Sequence, residues 1–206
     1  QISAAEPQPL LELARYITTA NLEAVALELL DAGALTESWL LLVRLAGNQE
    51  SVADAHAHIA AHAKQLNAET RAAPAADWDA LARLELSATT VVRLADLPSR
   101  LENTLQLAQR LMARVNGPCQ MAAHAGDGVI RIFIGESTAA DTAYVVGEIR
   151  ELMAVSNGTV TLHSSNAELM RRVDAFGANN VPLALMSRLK QVFDPAGVLA
   201  PGRFVV

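Results

Sequence analysis

Cysteine is almost absent from this chain of 206 residues, since Cys119 is its only one. A single cysteine forms no disulfide within the chain and supplies no cysteine-based metal motif, as is typical of proteins from reducing compartments. Cys119 follows Gly117 and Pro118 at the start of a predicted strand, where a small buried thiol is favoured over a nucleophile. We therefore expect a cytoplasmic protein.

Long apolar runs are also absent, although 51% of the residues are hydrophobic and the mean hydropathy is +0.22. The longest apolar run, residues 39–43, is far shorter than the roughly 18 residues that a membrane-spanning helix needs. Aromatic residues make up only 4% of the chain, and alanine and leucine supply most of its apolar character. That composition is typical of amphipathic helices, so we expect a soluble, helix-rich domain.

Basic residues are too few and too scattered for nucleic-acid binding: 16 Lys and Arg face 22 Asp and Glu, which gives a net charge of -6. The 11 glycines form neither a dinucleotide-binding fingerprint nor a phosphate-binding loop, and no nucleophile elbow of the G-x-S-x-G type occurs. The chain opens at Gln1 with no signal peptide. We therefore expect a single domain, residues 1–206, from a longer polypeptide.

The hydrophobic pattern predicts an α+β domain. Residues 9–33 favour two helices, residues 38–46 a central strand, and Asn48 a cap for the next helix. A short helix (77–86) and a strand (89–95) follow, and then a helix that begins with a capping box formed by Ser99 and Glu102. Next come a hairpin of two strands (119–123 and 129–134) with a turn at Asp127-Gly128, a helix capped by Thr138, and a strand (158–162). A final helix (181–193) is predicted to bury Leu185, Met186, Leu189 and Val192 and to lead into an extended tail. This order predicts a ferredoxin-like antiparallel sheet with helices packed on one face, extra helices at both ends, and no internal repeat.

Three histidines lie on the helix that is predicted to follow the central strand. Two of them, His58 and His62, are four residues apart, which is a spacing that allows two histidines to bind one metal ion. His62 falls on the apolar stripe of that helix, and no carboxylate occupies the position that a zinc-hydrolase helix requires. We therefore predict no metal at His56, His58 and His62.

Two segments carry a family resemblance. Residues 123–131 read A-H-A-G-D-G-V-I-R, and residues 193–204 read F-D-P-A-G-V-L-A-P-G-R-F. Together they resemble the C-terminal domain of FAD-linked oxidases of the vanillyl-alcohol oxidase type. The resemblance implies an FAD cofactor that is held mainly by an N-terminal domain absent from this chain.

The departures from the family pattern are most similar to those of the glycolate oxidase E subunit. Related D-2-hydroxyacid dehydrogenases carry H-x-G-D-G-N-x-H in the hairpin and a later E-H-G, which together hold a divalent metal. Here His124 is kept, but Val129 and Arg131 replace the asparagine and the second histidine, and residues 162–166 read L-H-S-S-N. Because valine is no ligand and arginine repels a cation, we predict no metal.

The resemblance implies hydride transfer from a 2-hydroxy acid to FAD, with His124 and Arg131 as catalytic residues. It places Gly126, Asp127, Gly128 and Arg203 at the cofactor, and Arg93 is a weaker candidate for the same cleft. An arginine beside a flavin can hold a carboxylate or stabilise the anionic reduced ring. The implied partners are a homologous flavin subunit and an iron-sulfur subunit of a glycolate-oxidase-like complex.

Two alternatives stay open at this point. Loss of the metal ligands and of E-H-G also fits a structural subunit that assembles the complex without chemistry. A stand-alone ferredoxin-like module that binds a ligand or dimerises would require the C-terminal match to be accidental. For the FAD-linked oxidoreductase, we predict that the isolated domain neither holds FAD tightly nor turns over.

Overall fold

A computed structural model describes residues 1–177 and 183–199. The strands are β1 (Ile2–Ala4), β2 (Ala24–Leu30), β3 (Trp39–Leu45), β4 (Glu69–Thr70), β5 (Thr90–Ala95), β6 (Cys119–His124), β7 (Val129–Ile134) and β8 (Thr159–Ser164). The helices are α1 (Pro7–Thr19), α2 (Gln49–Gln65), α3 (Ala75–Ser87), α4 (Leu101–Met112), α5 (Ala139–Ala154), α6 (Ala167–Arg172) and α7 (Leu183–Phe193). None of the helices within the described ranges is long and apolar enough to cross a membrane.

The strands form one antiparallel sheet of eight, in the order β4-β1-β3-β2-β6-β7-β5-β8. The half β4-β1-β3-β2 contains one β-α-β-β-α-β unit, and the half β6-β7-β5-β8 contains a second unit of the same strand order. The units join where β2 pairs with β6, with Glu28 opposite His124 and Leu30 opposite Ala122. The predicted α+β fold with a ferredoxin-like antiparallel sheet is confirmed. The prediction of no internal repeat misses this duplication, which is one of topology.

Helices cover the sheet unequally on its two faces. The larger core lies between the sheet and α1, α2, α4 and α5, and its fully buried side chains include Leu10, Leu13, Leu29, Leu105 and Ile130. A smaller core lies on the opposite face, where Leu81 and Trp78 of α3 pack over Leu42 and Phe133. The helices of the two units therefore share one face as predicted, and α3, which connects the units, covers part of the other.

One predicted helix is wrong. Residues 24–30 form β2 rather than part of a second helix, because Asn21 and Glu23 adopt left-handed backbone angles (φ 53° and 54°) that end the helical path after α1. The stripe of apolar residues fits either structure, since a short apolar run has no decisive period. Pairing with β3 on one side and β6 on the other selects the strand.

Two smaller predictions are also wrong. Helix α4 is preceded by a 3-10 turn, Pro98–Arg100, so Ser99 makes no capping box, and no side chain caps the helix. Helix α7 leaves Leu185, Leu189 and Val192 exposed by 52%, 41% and 73% instead of burying them. The predicted caps at Asn48 and Thr138 are confirmed, since their side-chain oxygens accept the backbone N–H groups of Ser51 and Asp141.

Candidate functional site

Charged side chains gather on the sheet face that α3 partly covers, at the seam between the two units. We call Glu28, Glu85, His124, Arg131 and His163 the charged cluster. In β2 the flanking residues Leu27 and Leu29 face the larger core, so Glu28 points to the opposite face. The same alternation brings His124 of β6 and Arg131 of β7 to that face.

Glu28 is the centre of the charged cluster. Its side chain is only 5% exposed, and its two oxygens have different partners. Oε1 lies 2.9 Å from His124 Nε2, and Oε2 lies 3.4 Å from a terminal nitrogen of Arg131. Because the carboxylate is buried, these two partners compensate its charge and fix both side chains in place.

Helix α3 supplies a second carboxylate to the same arginine. Glu85 Oε2 lies 3.0 Å from the other terminal nitrogen of Arg131, and Glu85 Oε1 lies 3.9 Å from His163 Nδ1. Arg131 therefore sits between two carboxylates. Its Nε is buried and has no hydrogen-bond partner within residues 1–177 and 183–199, so one donor of the guanidinium stays unsatisfied.

The environment of His124 shifts its protonation. The hydrogen bond to Glu28 raises the pKa of the His124 imidazole, and partial burial opposes that effect. The side chain is 41% exposed, so the edge away from Glu28 is accessible to a ligand. An imidazole held by a buried carboxylate and open on the other side is a suitable proton acceptor and donor.

Arg93 lies on the same face and differs from Arg131 in its partners. It is opposite Arg131 on β7 and opposite Thr161 on β8, in the middle of three adjacent strands. Neither an ion pair nor a hydrogen bond engages the half-buried Arg93 side chain in the described part of the chain. Arg93 therefore has no carboxylate partner in the described part of the chain, and its charge is available to an anion.

The hairpin turn after His124 is built by the glycine-rich segment. The His124 carbonyl accepts the N–H groups of Asp127 and Gly128 at 3.3 and 3.2 Å, and Asp127 Oδ1 accepts the Val129 N–H at 3.1 Å. Gly128 has φ +77°, and a Cβ there would collide with the Asp96 carbonyl. Asp127 and Gly128 are thus needed for the turn itself, whereas Gly126 is exposed and faces open space. The prediction that these three residues contact a cofactor stays a prediction.

A cavity of about 440 Å³ opens beside this turn. Its lining includes His124, Gly126 and Asp127 from the hairpin, together with Asn21 and Glu23 from the loop between α1 and β2. The cavity gives a ligand access to His124 from the end of the sheet.

The C-terminal motif forms a locked turn after α7. Asp194 accepts hydrogen bonds from the Val198 and Leu199 N–H groups at 2.9 and 3.0 Å and pairs with Lys190. Gly197 adopts φ +65°, which explains the glycine of F-D-P-x-G. Arg203, predicted to reach the cofactor, lies outside the described residues, as does the predicted extended tail from residue 200.

The histidines of α2 do not converge on a site. His62 stacks on Tyr16, with ring centroids 4.0 Å apart, and His58 lies 3.7 Å from Asp54 at the surface. Across the described ranges, no group of three or more His, Cys, Asp or Glu side chains is placed to hold a metal ion. In the hairpin, Val129 is buried and Arg131 is paired with carboxylates.

Sequence reasoning missed Glu28 and Glu85. Glu28 was missed because its segment was predicted to be a helix, and a single glutamate on the solvent-facing side of a helix is common. As a strand, the run A-V-A-L-E-L-L places a carboxylate among buried leucines, and that is the signal which identifies it.

Comparison with known proteins supplies the class. The family described as FAD linked oxidases, C-terminal domain, matches residues 17–204. This chain belongs to that family, which is one of FAD-dependent oxidoreductases. No curated protein is similar enough to count as a match.

Proposed function

We propose that the chain is the C-terminal domain of a flavoprotein subunit that oxidises a 2-hydroxy acid, in the manner of the glycolate oxidase E subunit. The supporting observation is that one face of the sheet carries both a carboxylate-bound histidine, His124, and an arginine, Arg93, that has no carboxylate partner in the described ranges. A 2-hydroxy acid presents a hydroxyl proton and a carboxylate, which are the two groups that such a face accepts.

FAD fits this face because Arg93 and Arg131 lie opposite each other on adjacent strands. Arg93, which has no carboxylate partner in the described ranges, can donate N–H groups to the acceptor-rich edge of a flavin. When bound, FAD accepts the hydride from the substrate carbon. We propose that Gly126, Asp127, Gly128 and Arg203 approach it, and that an N-terminal domain outside these residues makes most of its contacts.

His124 is the proposed base. It takes the proton of the substrate hydroxyl at its exposed edge, while Glu28 holds the opposite nitrogen and stabilises the imidazolium that forms. Because Glu28 raises the pKa of His124, the neutral base is favoured only at pH above that raised value. Substrate oxidation should therefore become faster as the pH rises through the raised pKa of His124.

We propose different roles for the two arginines. Arg131 is already paired with Glu28 and Glu85, so we assign it to holding the base in position and to the flavin edge. Arg93, without a carboxylate partner in the described residues, is the group that we assign to the substrate carboxylate. An Arg93→Met change should raise the Michaelis constant for the acid more than it lowers the turnover number.

A second candidate function is a structural subunit without chemistry. The observation in its favour is that both carboxylates of the charged cluster neutralise Arg131, so the cluster is satisfied to a large extent without a ligand. For either function we propose a homologous flavin subunit and an iron-sulfur subunit as partners, in the cytoplasm.

Dye reduction by the purified full-length protein, alone and with its two partner subunits, tests the proposal. We expect glycolate or D-lactate to drive reduction of an artificial electron acceptor in the assembled complex. The Arg93→Met variant should need a higher concentration of the acid substrate, and Arg83→Met, at an exposed residue of α3, is the matched control. Turnover that is unchanged by His124→Asn and Arg93→Met would favour the structural subunit.

A further inference from the structure

A second cavity, of about 240 Å³, opens on the helix-covered face of the sheet where β2 ends. It is separate from the charged cluster, which lies on the opposite face. The lining residues are Asp31, Ala32, Trp39, Gln109, Met112 and Met121. They come from the end of β2, the start of β3, helix α4 and strand β6, so the cavity sits at the junction of the two units.

Asp31 gives this cavity a buried negative charge. The residue is only 8% exposed, and its Oδ1 accepts the Met121 N–H at 2.9 Å. Within the described ranges no lysine, arginine or histidine forms an ion pair with it. A carboxylate that is withdrawn from water and has no counter-ion is unfavourable by itself and attracts a cation.

The walls favour an organic cation over a metal ion. Trp39 and Met121 line the cavity and are 6% and 1% exposed, so two well-packed apolar residues border the carboxylate. Aromatic rings and thioethers attract alkylammonium groups, whereas a hard metal ion needs several oxygen ligands. The volume is below the roughly 300–1,000 Å³ typical of pockets for drug-sized ligands, so a ligand of few heavy atoms fits.

We propose that this cavity binds a small organic cation, a primary or quaternary alkylammonium compound, with Asp31 as its counter-ion. The raised pKa of Asp31, about 6 because of burial, agrees with a carboxylate that lacks a partner. Cys119 of β6 is the titratable neighbour that interacts with Asp31, and burial raises the pKa of its thiol to about 11, so it stays neutral. The ligand binds the ionised form of Asp31.

Saturation-transfer NMR on the full-length protein tests this site, with tetramethylammonium as the probe and neopentyl alcohol as its uncharged counterpart. We expect saturable binding of the ammonium compound, at least tenfold weaker binding to Asp31→Asn, and unchanged binding to Asp54→Asn, whose side chain is 74% exposed on α2. Binding to the wild-type protein should also weaken as the pH falls below the pKa of Asp31. This measurement does not depend on the folding of any variant.

Three results would overturn the proposal: no binding of the ammonium compound, equal binding to wild type and Asp31→Asn, or equal binding of the alcohol. Equal binding of the alcohol would show an apolar cavity only. None of these outcomes depends on flavin chemistry.

Discussion

Replacing Glu28 with glutamine tests whether the Glu28 carboxylate stabilises the charged cluster. The amide keeps the size of the side chain but removes the charge that compensates His124 and Arg131. Removing one partner of a buried ion pair costs roughly 3–5 kcal/mol when the other partner is left uncompensated. Here Arg131 keeps Glu85 at 3.0 Å. We therefore expect a loss at the lower end of that range, about 3 kcal/mol of unfolding free energy.

The matched control is Glu85→Gln in the same cluster. Glu85 pairs with the same arginine, but its side chain is 35% exposed against 5% for Glu28. Solvent screens such a pair, so we expect a loss of about 1 kcal/mol or less. Urea unfolding of the two variants and of the wild type gives both values.

The pH dependence supplies an independent reading. Glu28 raises the pKa of His124 in the folded protein, so this contribution to stability is fully present below the unfolded pKa and is lost as pH rises through the folded pKa. The difference in unfolding free energy between wild type and Glu28→Gln should therefore shrink as the pH rises from the ordinary histidine pKa, about 6.5, through the raised pKa of His124. If Glu85→Gln is as destabilising as Glu28→Gln, or the difference does not change with pH, Glu28 is not the centre of the cluster.

Three further predictions concern other parts of the fold. Gly128→Ala should destabilise the protein by about 2 kcal/mol, because the backbone at Gly128 is left-handed and the new Cβ would collide with the Asp96 carbonyl. Gly126→Ala should change the unfolding free energy by about 0.5 kcal/mol or less, because a Cβ at Gly126 faces open space. Thermal melts compare the two. Asp31 has its pKa raised to about 6, so its stabilising contribution is present at low pH and lost as pH rises, by about 3 kcal/mol in total. Asp31→Asn should abolish that loss in urea melts at about pH 5 and pH 7.5, and an unchanged pH dependence would contradict the assignment. Asp194→Ala should loosen the turn that follows α7 and speed proteolysis there, since Val198 and Leu199 lose their acceptor, while equal cleavage rates would show that the turn holds without it.

Local pattern predicts the elements whose sequences carry a clear period or turn. Strand β3 was predictable because its short apolar run is typical of a strand that is covered on both faces. The β6–β7 hairpin was predictable because Asp127-Gly128 favours a tight turn between two strands. Strand β2 was not, because its apolar stripe also fits a helix and only pairing with β3 and β6 decides between them. The duplication of the ferredoxin-like unit is a property of strand order, which no local signal records.

The residues of the candidate site also differ in how far the sequence alone predicts them. His124 and Arg131 were predicted as site residues because the hairpin motif that contains both resembles that of the FAD-linked oxidases. Glu28 and Glu85 come from distant parts of the chain and reach these residues only through the seam between β2 and β6 and through the placement of α3. The difference between Arg93 and Arg131 is one of ion-pair partners, which requires the three-dimensional arrangement.

Rapid-mixing absorption spectroscopy of the full-length protein, with the proposed partner subunits and without oxygen, tests the central claim most directly. The account predicts that glycolate or D-lactate bleaches the visible band of the flavin in a single turnover. It also predicts that His124→Asn slows the bleaching by at least about a hundredfold, since a positioned base contributes that much. A flavin band in this subunit that stays oxidised with every 2-hydroxy acid, or that bleaches equally fast in the variant, would contradict it.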